Sequence, residues 1–502
     1  MPQSPHAERL RELASDMLAR RRLVIASNRG PVEYTRDPSG ELVGNRGSGG
    51  LVTALTAVSQ WAELTWIAAA MTEGDREIAG QAGAERVHSP EAEEQMYLRF
   101  VDLPRQAYNR YYNIFSNPLL WFIQHYMWNT PRTPNINQAI YDAWENGYMP
   151  VNRAFAESIV AEAAGDREPP YVMVQDYHLY LVPGFVREAL PGAIIQHFTH
   201  IPWPDPRYWE LLPYQMRLAI YESLTACDFV GLQTQRDTRN FLHSCEAILP
   251  GADIDYRNSS VWYKGHLAVA RSYPISIDAA GLLEYAKTPE VTQYDTALAE
   301  LFSKRTILRV DRMEPSKNIV RGFRAFELLL QKHEELHGEV NFIAMLVPSR
   351  QELSLYQTYT DDVFELVDSI NQEFGNDDWQ PITVFHENNY AQAIAAMKSY
   401  DVLLVNPVID GMNLVSKEGP LVNRRDGVLI LSEAAGSHEQ LGEWSLSVAT
   451  ADIEGTQRVL HQALQMEMKE RKRRARALHE QILEHDIADW LEGQFRDLRT
   501  LA

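Results

Sequence analysis

The chain has 502 residues, 45% of them hydrophobic and 23% charged, a globular balance with length for two or three domains with real cores. Lys and Arg number 47 against 68 Asp and Glu, a formal net charge of −21, which argues against non-specific nucleic-acid binding through a basic face. The two cysteines, Cys227 and Cys245, suit neither a metal site nor a disulfide framework and point to a reduced, cytoplasmic setting, and no segment has the uncharged apolar length that spans a bilayer.

Residues 1–22 carry Leu10, Leu13, Met17 and Leu18 among charges, the spacing of an amphipathic helix lying on the protein. Residues 23–27 form a short apolar strand ending in Asn28-Arg29-Gly30. A glycine-rich loop, Gly44-Asn-Arg-Gly-Ser-Gly-Gly50, then precedes a helical pattern from Leu51 to about Trp61. Strand, glycine turn and helix can cradle an anion on backbone N–H groups, although the glycines match neither the dinucleotide nor the P-loop spacing. Residues 65–69 read as another strand. An aromatic stretch over 108–128 includes Tyr108, Tyr111, Tyr112, Phe115, Trp121 and Trp128; most of it should be core, with a few rings lining a pocket. A helix is expected over 148–164. Apolar strands follow at 171–175, 193–198 and 228–232, the first ending in Asp176-Tyr-His178 and the second in Thr199-His200-Ile-Pro-Trp-Pro. Strands alternating with helices imply a parallel, doubly wound sheet.

The alternation lapses between about 277 and 303, which marks a domain boundary. A second series then runs through strands at 306–310, 340–347, 382–385, 401–405 and 427–431, with a helix from about 319 to 332. After Gly455 the chain is helical and strongly charged, and the basic run 469–474 reads as a solvated helix face. The resulting division is a helix over 1–22, an N-terminal domain over 23–277, a C-terminal domain over 278–485 and a helix over 486–502 packing back on the first domain. The expected picture is two α/β domains facing each other across a cleft.

The polar residues gather at strand ends, where open α/β sheets bind ligands. Arg312 and Lys317 follow a strand and open a helix; a planar fork of donors beside a point charge suits a diphosphate. The plainer reading is a surface pair neutralised by Glu314. Arg350 follows the next strand and Arg29 the first one, so four cations at strand ends suggest two anionic groups. Asp176, His178 and His200 suit sugar hydroxyls or developing positive charge. Asp410 and Glu418 lie eight residues apart in Asp-Gly-Met-Asn-Leu-Val-Ser-Lys-Glu, too far for one helical turn, and could grip two parts of one long ligand. There is no serine nucleophile elbow and no typical zinc spacing. A polyhydroxyl ligand joined to a phosphate fits best.

Taken together, these motifs resemble the trehalose-6-phosphate synthase family, retaining glycosyltransferases of GT-B fold with two Rossmann-like domains. The matching pieces are Ser27-Asn28-Arg29, Ser48-Gly49-Gly50-Leu51, Tyr111-Tyr112-Asn113 through Trp121, Val151-Asn152, Asp176-Tyr-His178-Leu, His200-Ile-Pro-Trp-Pro, Arg312 to Lys317, Ser349-Arg350 and the stretch Asp410–Glu418. The resemblance implies that Gly50, Arg312 and Lys317 hold the donor diphosphate, that Asn413, Leu414, Val415 and Glu418 hold the nucleotide, and that Asp410 and His200 hold the donor sugar. It implies that Arg29, Tyr112, Trp121, Asp176 and Arg350 hold a phosphorylated acceptor. Asp176, His200, Arg312, Lys317 and Asp410 would be the catalytic set, with no cofactor and no metal, the basic pair standing where other glycosyltransferases place a cation. The partners would be a nucleotide sugar and a sugar phosphate, without nucleic acid or membrane. A homo-oligomer could use the terminal helices as contact surfaces.

Some segments depart from the family pattern. Ala69 stands where the family has a Trp, Asn318 and Ser276 where it has Gly, and the motif at 312 reads Arg-Met-Glu-Pro-Ser-Lys rather than Arg-Leu-Asp-Tyr-Ser-Lys. The Trp66-Ile-Ala segment and residues 421–426 are similar to validoxylamine-phosphate synthase, a pseudo-glycosyltransferase that joins cyclitols with a GDP donor. The reading is a transferase moving glucose with retention from UDP- or GDP-glucose to glucose 6-phosphate. The alternatives are a relative of the same fold with another cyclitol or sugar-phosphate acceptor, and a non-catalytic sugar-phosphate-binding regulator.

Overall fold

The computed structural model describes residues 5–46, 52, 58–59, 63–83, 85–88, 95–302, 304–351 and 353–501. The Ser48-Gly49-Gly50-Leu51 motif, with Gly50, and most of the helix expected over 51–61 lie outside these residues. The chain divides into two compact units, one formed by Pro2–Ile275 with Ile487–Ala502 and the other by Ser276–Asp486.

The first unit is built on a sheet with ten strands among the described residues. Its parallel part runs Met96–Val101, Leu64–Ala69, Leu23–Ser27, Tyr171–Gln175, Ile194–Phe198, Phe229–Leu232 and His266–Ser272. Numbered by chain order, that is 3-2-1-4-5-6-7, the doubly wound arrangement with its reversal between the first and fourth strands. Every residue of Leu23–Ser27, Tyr171–Gln175 and Ile194–Phe198 is buried, as strands covered on both faces require. Antiparallel strands close both edges: Val87–His88 on one side, and Ser260–Tyr263 with Asp253–Asp255 on the other. The helix Pro5–Leu18 buries Leu10, Leu13, Ala14 and Met17 and packs on the helix Ile487–Arg499. That second helix seats Trp490 edge-on against Phe198 and pairs Gln494 with Gln196 at 2.8 Å, so it belongs to the first unit's core.

Among the described residues, the second unit repeats the plan without antiparallel edges. Its six strands, Ile382–Phe385, Val340–Val347, Arg305–Arg312, Val402–Val405, Val428–Ser432 and Leu446–Val448, are all parallel and ordered 3-2-1-4-5-6. The reversal falls between Arg305–Arg312 and Val402–Val405, so Arg312 to Lys317 and the stretch leading to Asp410 leave the sheet side by side. Leu308, Leu403, Leu429 and Leu431 face one helical layer, and Ile307, Phe342, Leu404 and Ile430 face the other.

Candidate functional site

In the second unit the polypeptide leaving Arg305–Arg312 turns through Pro315–Lys317 into the helix Ile319–Lys332. The turn needs a left-handed residue, and Asn318 supplies it at φ 59°, ψ 36°. Asparagine is the best L-residue after glycine for this conformation, which accounts for the departure from a family Gly. Its amide adds three bonds that glycine cannot make: it donates to the carbonyls of Asn406 at 3.0 Å and Thr450 at 2.7 Å and accepts from Arg321 Nη1 at 2.8 Å. Beneath the turn, fully buried Arg309 pairs with Asp311 at 2.8 Å and donates to the carbonyls of Lys317 at 3.0 Å and Ile319 at 3.3 Å. Gly322 admits that guanidinium, since a Cβ there would sit 2.5 Å from Arg309 Nη1.

The ammonium of Lys317 contacts Oδ2 of Asp410, which also accepts from Asn413 Nδ2 at 3.1 Å. Asn413, at φ 69°, is another left-handed residue. The helix Val415–Val422 follows directly and sets its positive dipole end here; the Ser416 N–H bonds to Asn413 O at 3.2 Å and the Lys417 N–H to Leu414 O at 2.9 Å. Glu418, one turn in, accepts from the Tyr390 hydroxyl at 3.2 Å. Burial pushes its carboxyl up to about 7, against the opposing effect of that bond. Lys317, Asn413, Glu418 and Tyr390 line one cavity of about 210 Å³ with Val310, Asp311, Arg312, Val347, Asn388, Asn389, Ala393, Met397, Leu414 and Val415, and Asp410 reaches it through its contact with Lys317. A cation pair, a helix N-terminus and a buried carboxylate on one hollow can hold a diphosphate joined to a polyhydroxyl group.

Glu314 is not the surface neutraliser of the plainer sequence reading. Its side chain is fully buried, pairs with Arg312 at 3.2 Å and accepts from Ser349 Oγ at 2.8 Å. Burial acts to raise its carboxyl, but Arg312, Arg350 and Lys317 together hold it below the ordinary value. It is thus the shared counter-ion of three strand-end cations. Arg312 itself is 55% exposed and open to a ligand. Arg350, in a left-handed conformation at φ 44°, donates to the Tyr356 hydroxyl at 2.6 Å.

The first unit carries a second cluster at its own reversal point. Asp176, at the end of Tyr171–Gln175, has φ 72° and ψ 168°, a region that glycine alone adopts without strain and that gathers at functional sites. Its carboxylate accepts from the His200 N–H at 3.2 Å and lies 3.9 Å from His178. His200 Nε2 meets Gln175 Oε1 at 3.0 Å, and burial drives its imidazole down to about 3, so the ring is neutral at neutral pH. Arg29 lies close enough to Tyr112 to interact with its hydroxyl electrostatically, and the Tyr112 ring stacks between Tyr108 at 5.5 Å and His178 at 5.6 Å. Trp121 differs from the others: it is 2% exposed and stacked on His125 at 3.9 Å, so its ring is core rather than an open wall. Ala69 is equally buried, its N–H bonded to Asn28 O at 3.2 Å.

Sequence reasoning passed over Tyr390 and Asn389. The signal was available in Asn388-Asn389-Tyr390 directly after a strand, where Asn389 caps the helix Tyr390–Met397 by accepting from Gln392 N. Residues 421–426, similar to the GDP-using relative, contribute nothing to the cavity wall. There Asn423 ties a turn to Met397 O, Tyr400 O and Gly427 N, a structural task.

The sequence matches the model of glycosyltransferase family 20 over residues 21–500. It is 32% identical over 479 residues to an alpha,alpha-trehalose-phosphate synthase [UDP-forming] of Aspergillus fumigatus, covering 93% of this chain and 95% of that one. It is 28% identical over 480 residues to the validamine 7-phosphate valienyltransferase of Streptomyces hygroscopicus, covering 95% and 94%. Among solved structures, the Escherichia coli trehalose-6-phosphate protein bound with UDP-2-fluoro glucose superposes with a TM-score of 0.82 at 26% identity, covering 95% and 99%. A Burkholderia xenovorans alpha,alpha-trehalose-phosphate synthase (UDP-forming) in complex with glucose-6-phosphate gives 0.80 at 28% identity, covering 95% and 100%.

Proposed function

The chain belongs to glycosyltransferase family 20, and from that premise we propose that it transfers glucose, with retention, from UDP-glucose to glucose 6-phosphate and releases trehalose 6-phosphate. The observation that carries this reading is the cavity at the second unit's reversal point. There Arg312, Lys317 and Glu418 converge beside the N-terminus of Val415–Val422, with Asp410 in contact with Lys317. The relatives' UDP-forming activity and the UDP-sugar and glucose-6-phosphate held by the solved structures support the choice of substrates.

In this reading Arg312 and Lys317 take the donor diphosphate, with Gly50 contributing backbone. Asn413, Leu414 and Val415 present the helix N-terminus to the phosphates, and Glu418 accepts from the ribose hydroxyls. Asp410 and His200 hold the donor glucose. Arg29, Tyr112, Asp176 and Arg350 hold the acceptor, while Trp121 supports them from the core. The acceptor hydroxyl attacks on the face that the diphosphate leaves and passes its proton to a leaving phosphate oxygen. No protein nucleophile takes part. Catalysis is positioning plus stabilisation of charge as the glycosidic bond breaks: the cation pair receives the diphosphate's growing negative charge, and Asp410 faces the positive sugar. Neutral His200 donates or accepts a hydrogen bond without adding a charge that would oppose the oxocarbenium-like state.

No described helix is long and apolar enough to cross a membrane. Cys227 and Cys245 are buried and free, which supports a reduced, cytoplasmic setting. Incubation with UDP-glucose or GDP-glucose plus glucose 6-phosphate tests the activity. Trehalose 6-phosphate from UDP-glucose is expected, and absence of product with either donor overturns the reading. Calorimetry with UDP then separates a silent regulator, which would not need the diphosphate grip, from an enzyme with another acceptor. The valienyltransferase relative favours that last possibility over the regulator.

A further inference from the structure

Away from the cavity, three metal-ligating side chains of the second unit meet where two helices end. His333 terminates the helix Ile319–Lys332, Glu335 lies in the short turn Glu334–Leu336, and His461 sits in the last turn of the helix Ile453–Leu464. One ligand atom from each lies within 4.8 Å of the others. His333 Nδ1 is 3.1 Å from Glu335 Oε1, and the two imidazoles stack at 3.8 Å with 15° between planes. The helices are also joined by Lys332–Glu454 at 2.7 Å and by Asn318 to the Thr450 carbonyl.

We propose that His333, Glu335 and His461 form a solvent-open binding site for a borderline divalent transition-metal ion of the Zn²⁺ class, clamping these two helices together. Two imidazoles and one carboxylate select Zn²⁺, Co²⁺ or Ni²⁺ over Mg²⁺ and Ca²⁺, which prefer all-oxygen shells. Water completes the coordination, as in three-ligand zinc sites; the Glu335 side chain is 63% exposed and the His333 side chain 23%, so the site is accessible. Both helices present their C-terminal, negative dipole ends here, which favours a cation. Parallel rings aim their lone pairs side by side, so capture turns the imidazoles about χ2 until the nitrogens converge. Arg305 lies close enough to act on His461, but its guanidinium also donates to the Leu464 carbonyl at 3.3 Å. The other cluster of this kind among the described residues, His6 with Asp489 and Glu492, is a poorer site. There Glu492 is already paired with Arg9, Arg496 and His6.

The test is calorimetric titration of the metal-stripped full chain with zinc chloride. One saturable site is expected, with affinity falling roughly 10- to 100-fold or more in the His333→Gln/His461→Gln double variant. Glu335→Gln alters a mostly exposed side chain whose side-chain partner is His333 itself, and it should also weaken binding. His6→Gln should bind as the unaltered chain does, and zinc should raise the melting temperature of the unaltered chain but not of the double variant. The proposal is overturned if the unaltered chain shows no saturable binding. It is equally overturned if the Glu335 and double variants bind unchanged, or if His6→Gln is the variant that loses the site.

Discussion

Replacing Glu314 by Gln keeps the shape of a buried side chain and removes the charge shared by three cations. Its carboxylate accepts from Ser349 at 2.8 Å and pairs with Arg312 at 3.2 Å. A hydrogen bond to a buried charge contributes about 1.5–3 kcal/mol. The Arg312 pair is discounted to about 0–1 kcal/mol because that guanidinium is mostly in water. The sum, about 1.5–4 kcal/mol, predicts a melting temperature lowered by roughly 3–16 °C for a unit of this size. The pH dependence has a definite sign. Arg312, Arg350 and Lys317 hold the folded-state pKa of Glu314 below its ordinary 4.5. Its contribution is therefore fully present above that value and is lost as pH falls through the lower folded pKa. Differential scanning calorimetry of both proteins from pH 7 down to about pH 2 should show the gap closing below pH 4.5, toward the lowered folded pKa. Donor KM should rise as well, because Arg312 loses its anchor, and acceptor KM should rise with it, because Arg350 shares the same counter-ion. Equal melting temperatures at pH 7, or a gap undiminished in acid, would refute the reasoning.

Arg312→Ala should weaken UDP-glucose binding by about 1.5–3 kcal/mol, the loss of one charge-assisted contact, with glucose 6-phosphate affinity nearly unchanged; equal losses in the two dissociation constants contradict the assignment. In urea unfolding, Asn318→Gly should lose about 3 kcal/mol with its three side-chain hydrogen bonds. Asn318→Ala should lose a further ~1–2 kcal/mol for the left-handed backbone, and a reversed order would mean that φ 59° is not the constraint. Because the Glu418 carboxyl titrates near 7 and its ionised form accepts ribose hydroxyls better, UDP affinity should rise between pH 6 and 8 and flatten in Glu418→Gln. A flat profile in the unaltered enzyme would show that Glu418 does not meet the nucleotide.

The central parallel strands were legible because they are buried on both faces and read as continuous apolar runs; Leu23–Ser27 and Tyr171–Gln175 fall where the sequence places them. The strands passed over lie farther out or are interrupted by polar side chains. Met96–Val101 carries Arg99, His266–Ser272 alternates in exposure, and Leu446–Val448 is an edge of three residues. At the candidate site, Lys317 and Asp410 announced themselves as charged residues at strand ends, and the structure brings them into contact. Glu314 could not be told from a surface acid, because its burial depends on Ser349 and Arg350, more than thirty residues away. Trp121 misleads in the opposite sense: in the 108–128 stretch, spacing alone does not separate a core ring from one beside a ligand. Asn318 looked like a defect, and the backbone angle makes it a substitute suited to its place.

The discontinuity of the first unit has a consequence for the timetable of synthesis. Its sheet is drawn from residues before 276, yet Trp490 and Gln494 fill positions against Phe198 and Gln196. A ribosome delivers these only after all of 276–486 has been made. The second unit contains its entire sheet within one continuous stretch and can close as soon as that stretch emerges. The earlier-made unit must meanwhile hold its Ile194–Phe198 region with one covering helix still missing, so the segment translated first is among the last to be sealed. Until then its exposed apolar face is the place where a chaperone, or a second nascent chain, would gain hold.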